Sequence, residues 1–89
     1  MAKFNENELT EKLKDFESQK QIELEFEGGI DGKIELEDVK VKYNSKTGFI
    51  GILGKNCELK INTTMVCGYE KIENEIKIDL ETMLLKIRK

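Results

Sequence analysis

With 89 residues, 37% of them charged and 38% hydrophobic, the chain has room for one domain and no second core, and its composition is globular, not disordered. A net charge of −3 gives no support to binding nucleic acid through its phosphates. The absence of histidine removes the commonest general base and a principal zinc ligand.

The first element is a helix. Leu9, Leu13 and Phe16 fall at i, i+4 and i+7, one stripe of an otherwise charged segment. Asn5 has the chemistry of an N-cap, Glu8 completes a capping-box-like pair, and Phe4 with Leu9 occupies the two positions of a hydrophobic staple. Glu8 and Lys12 add an i, i+4 ion pair. These signals predict a helix over about 6–18.

The period then changes from 3.6 to 2. From Gln21 to Glu27, Ile22, Leu24 and Phe26 alternate with Glu23, Glu25 and Glu27, as in a half-buried strand. After a glycine-rich loop a second strand begins at Lys33. Ile34 and Leu36 keep one phase and Val39, Val41 and Tyr43 take the other. The phase slip at Glu37-Asp38 calls for either a β-bulge or a short turn, and the bulge is preferred because no glycine marks a turn there.

Asn44 to Gly48 is a turn, and Phe49-Ile50-Gly51-Ile52-Leu53 is apolar on both faces. Such a strand is either central and covered on both sides, here by the helix and by the 62–74 segment, or it meets a partner. Gly54-Lys55-Asn56 makes a hairpin turn into Cys57, Leu59 and Ile61. Residues 62–74 give no clear period, and Ile76, Ile78 and Leu80 alternate again. The last segment fits a helix capped by Asp79 or a strand carrying Met83, Leu85 and Ile87, and the strand is preferred because so short a helix is marginal.

The expected fold is α+β, one domain over 1–89, with the N-terminal helix on a mostly antiparallel meander of five or six strands over about 21–88. The expected core is Leu9, Leu13, Phe16, Ile22, Leu24, Phe26, Ile34, Leu36, Val39, Val41, Phe49, Ile52, Leu59, Ile61, Ile76 and Ile78. A helix followed by bent strands resembles the plan of Sm-like and SH3-like small barrels, which implies RNA binding as an alternative function. The chain lacks the Sm-type Asp-x-x-Asn loop and the Arg-Gly or Lys-Gly step of the RNA site. Locally, Gly48-Phe49-Ile50-Gly51-Ile52-Leu53-Gly54-Lys55-Asn56 continuing to Ile61 resembles the strand–Gly-Lys-Asn–strand hairpin of the YabP/YqfC sporulation family. That likeness spans about a sixth of the chain, with no counterpart for the helix or for 62–74, and it does not assign the chain to the family.

Chemistry finds few occupants. Cys57 and Cys67 form no CxxC motif and no disulfide framework, and Cys57 at an apolar strand position reads as a small buried hydrophobe. The glycines form neither GxGxxG nor a phosphate loop, and Asp31-Gly32 is too little for a calcium loop. The expectation is a protein that is not an enzyme, with no cofactor and no metal. No stretch approaches a membrane span and no hydrophobic leader is visible, which predicts a cytoplasmic protein without a membrane partner. The Lys-, Glu- and Asn-rich composition points to an AT-rich bacterial or phage genome.

What remains is contact with another protein. The candidate surface is Phe49, Ile50, Ile52 and Leu53 on the two-sided apolar strand, with self-association as one form of it, together with the acidic row Glu23, Glu25 and Glu27. Residues 1–44 carry a formal −5 and residues 45–89 +2, so a phage-encoded inhibitor docking this acidic face on a host protein is a further alternative. Nucleic acid is the less expected partner.

Overall fold

The computed structural model describes residues 5–29 and 31–89. The helix α1 (Glu6–Lys14) starts where the cap signals place it: the Asn5 side chain accepts the Glu8 backbone N–H at 3.0 Å, and Lys12 lies 3.9 Å from Glu8. A 3-10 turn (Asp15–Ser18) tightens its end. Phe4, half of the expected staple, lies outside the described residues. A helix of nine residues does not hold itself in water, so its stability comes from burial of Leu9, Leu13 and Phe16.

Among the described residues the strands are β1 (Gln21–Glu27), β2 (Gly32–Glu37), β3 (Lys40–Asn44), β4 (Phe49–Leu53), β5 (Glu58–Asn62), β6 (Val66–Ile72), β7 (Glu75–Leu80) and β8 (Leu84–Arg88). They form two antiparallel sheets, a large one ordered β2-β1-β8-β7-β6 and a small one ordered β3-β4-β5. The α+β class and the C-terminal strand agree with expectation. A single meander does not: β8 returns to lie between β1 and β7, and the chain changes sheet twice.

Both changes of sheet have local causes. The first is at Asp38, whose φ of +51° turns the chain from β2 into β3. This is a tight corner between two strands, the turn alternative and not the preferred bulge. Aspartate enters the left-handed region at modest cost, so no glycine was needed to announce it. The second is a 3-10 turn (Thr63–Met65), where the Asn62 side chain accepts the Thr64 N–H at 3.1 Å. Thr63 donates its N–H and its hydroxyl to the Gly48 carbonyl at 2.9 and 2.6 Å, anchoring this corner to the β3–β4 turn. A bulge does occur, but in β6 between Val66 and Gly68. Splitting 33–43 in two and finding β6 inside 62–74 raises the strand number to eight. Among the described residues neither sheet closes on itself, so the small-barrel plan gains no support.

One hydrophobic cluster joins α1 to both sheets, with Ile22, Leu24, Ile76, Ile78, Leu85 and Ile87 from the large sheet and Val41, Ile50, Ile52 and Ile61 from the small one. Two expected core residues are surface residues: Ile34 is 38% and Phe49 37% exposed. Ile34 shares a face with the buried Leu36 but lies nearer the hairpin end of β2, where cover runs out. Phe49 is one step from Ile50, and a period of 2 sends the two to opposite faces.

Polar contacts lock the pieces together. The β4–β5 turn reaches the edge of β2, with the Lys55 N–H donating to the Glu37 carbonyl at 2.7 Å and the Asn56 amide to the Glu35 carbonyl at 3.1 Å. This turn thus satisfies edge carbonyls that would otherwise invite another strand. At the far side, Tyr69 on β6 is held by Glu8 of α1. Burial, then that hydrogen bond, pushes its phenol up to about 12.

Candidate interaction face on the small sheet

Alternation divides the four apolar candidates of β4 between two faces. Ile50 and Ile52 are 0% and 1% exposed and belong to the core, so they cannot belong to a contact surface. Phe49, Gly51 and Leu53 point outward, and the 62–74 segment expected to cover them is instead the 3-10 corner and β6 of the large sheet.

Strand register then fixes the outer face as a small grid. Lys42 and Lys60 stand directly beside Gly51, Asn44 and Asn62 beside Phe49, and Lys40 and Glu58 beside Leu53. Because Gly51 has no side chain, the centre of this grid is a notch with a backbone floor. Phe49 and Leu53 wall it along the strand, and Lys42 and Lys60 flank it across the sheet. The hollow has a volume of about 850 Å³ and extends to the β3–β4 turn.

Among the described residues nothing packed against position 51 requires glycine there. A Cβ built there would find the Lys42 carbonyl oxygen at 3.8 Å, an ordinary contact. Its backbone is extended and within reach of any residue. An interior strand glycine without a packing reason costs stability, and such a position marks close approach by something else. By contrast Gly48 sits at φ +76°, and a Cβ at Gly54 would press to 3.1 Å from Leu36.

The face is also electropositive. Residues 40–62 hold five lysines and one glutamate, a formal +4 in a chain of net −3. Among the described residues Lys40, Lys42 and Lys46 make no ion pair, and Lys60 meets Glu58 only loosely at 3.9 Å, both side chains being at least half exposed. Dividing the chain at residue 44 hid this pole by assigning Lys40 and Lys42 to the acidic half. A window matched to the three strands is the signal that reveals it.

The acidic row behaves differently. Glu23, Glu25 and Glu27 do share the outer face of β1, but Arg88 and Lys86 of β8 stand beside them. The Arg88 guanidinium lies 3.1 Å from Glu23, 2.8 Å from Glu25 and 3.2 Å from Glu75, and Lys86 lies 2.9 Å from Glu27. Partial burial works against the Arg88 charge, yet Glu25 and Glu75 outweigh it and raise its affinity for its proton. The hydrogen bond to Glu27 likewise raises the Lys86 amine. The row is engaged within its own sheet and offers little free negative field.

Among the described residues no three Cys, Asp or Glu side chains gather as metal ligands, and no helix is long and apolar enough to cross a membrane. Cys57 packs partly buried against the core, and Cys67 is exposed. Compared with models of protein families, with curated proteins and with solved structures, the chain finds no match in any of the three.

Proposed function

We propose that this protein is a non-enzymatic protein-interaction module that meets its partner through the outer face of the small sheet. The observation that carries this reading is Gly51: a residue the fold does not need, at the centre of its strand, opening a notch between an exposed phenylalanine and a leucine. An aromatic side chain beside a concavity, ringed by polar groups, is the usual anatomy of a contact hot spot. Phe49, Leu53, Lys42 and Lys60 are the contact residues. Ile50 and Ile52 act from beneath by holding β4 in the core.

Self-association through this strand is the less favoured form of the reading. Two copies placed face to face bring a lysine-rich surface against its own image, and like charges directly opposed are destabilising. The acidic-face inhibitor is weakened in turn, because Arg88 and Lys86 already occupy Glu23, Glu25 and Glu27.

A photo-crosslinking phenylalanine analogue in place of Phe49, introduced in native cell extract, tests the choice of face. It is expected to trap a discrete partner that is lost when Gly51→Val is added, while the same analogue at Glu25 traps none. Equal trapping from both faces, or a product indifferent to Gly51→Val, contradicts the reading.

A further inference from the structure

We infer that the partner presents an acidic, extended segment whose one apolar side chain seats over Gly51, with a carboxylate on either side meeting Lys42 and Lys60. This deepens, and rests on, the reading of the small sheet as a protein-binding face.

The notch sets the geometry. It runs across the strands, from Lys42 on β3 over Gly51 to Lys60 on β5. Neighbouring strands lie about 4.8 Å apart, so these two lysines stand about 10 Å apart at their backbones. In an extended peptide, side chains on one side recur every two residues, or about 6.7 Å. An apolar residue in the notch therefore places the side chains two before and two after it about 13 Å apart. Lysine stems splayed outward on an exposed face reach that separation. The matching pattern is acidic-x-apolar-x-acidic.

Charge selects this occupant. Five lysines stand against one glutamate over residues 40–62, and among the described residues Lys42 has no carboxylate partner. A single-stranded nucleic acid fits less well. Such ligands stack on successive aromatic rings, whereas here Phe49 is the outward aromatic and Tyr43, which also lines the hollow, packs against the core; the centre is a notch instead of a platform, and Glu58 stands on it beside Leu53.

A library of random short peptides displayed on phage, selected on the intact immobilised protein, tests the inference. The expected result is enrichment of acidic-x-apolar-x-acidic peptides. Their affinity, read by fluorescence anisotropy, should fall about tenfold or more in Gly51→Val and in Lys42→Glu/Lys60→Glu, and should also fall with added salt. Neutral or basic peptides that still depend on Gly51 overturn the assigned chemistry and leave the face standing. Peptides indifferent to both variants, or no enrichment at all, overturn the face itself. An oligo-dT probe that binds more tightly than any selected peptide and depends on the same lysines replaces the acidic partner with nucleic acid.

Discussion

Gly54 and Gly51 lie three residues apart on one hairpin and answer to different demands. At Gly54 a Cβ would sit 3.1 Å from both the Leu36 side chain and the Cys57 carbonyl, where the turn presses onto β2. Gly54→Ala is expected to cost about 1–3 kcal/mol in chemical denaturation, because the packed turn must shift. Asp15 shows the same dependence on neighbours in electrostatic form. The hydrogen bond and charge of Lys89, 2.8 Å away, with Lys71 at 3.7 Å, hold its carboxyl below its ordinary value of 3.8. Since the folded value is the lower one, the contribution is complete above the unfolded value and disappears as pH falls through the folded one. Asp15→Asn should therefore melt below wild type at neutral pH and match it in strong acid, as followed by melting temperature against pH.

Among the elements, α1 depends most on its surroundings. Leu13 is 1% exposed in the shared cluster, and Leu13→Ala should cost about 2–5 kcal/mol by urea denaturation, while a peptide of residues 5–19 alone should show no helix by circular dichroism. β8 depends on charge as well as on packing. Arg88→Ala removes the cation shared by Glu23, Glu25 and Glu75, and should lower the urea midpoint by a margin that shrinks with added salt. The helix and β1 were legible in the sequence because cap, stripe and alternation agree on one register. The corner at Asp38 was not, since aspartate turns the chain without the glycine that would have marked it. β6 was hidden because its bulge at Val66–Gly68 breaks the alternation. The long-range return of β8 to β1 leaves no local trace at all. Of the candidate site, Phe49 and Leu53 were legible from the two-sided apolarity of β4. Lys42 and Lys60 were not, because they belong to the site only through pairing across strands.

As a whole the molecule is bipolar: the strands of the small sheet and their turns carry a formal +4, and the rest of the chain supplies the negative balance to −3. In the large sheet Glu23, Glu25, Glu27 and Glu75 are paired with Lys33, Lys86 and Arg88, whereas among the described residues Lys40, Lys42 and Lys46 have no carboxylate partner, so the positive pole keeps a field for an approaching partner. That field also opposes pairing of the small sheet with a copy of itself. The proposed contact requires that Gly51 be needed by the partner and not by the fold. Equilibrium urea denaturation of wild type and Gly51→Val tests this most directly. A β-branched residue in an extended, open position should raise stability by about 0.5–1 kcal/mol, with the midpoint moved up and the slope unchanged. A Gly51→Val protein less stable than wild type would return that glycine to the fold and remove the ground for placing the contact there.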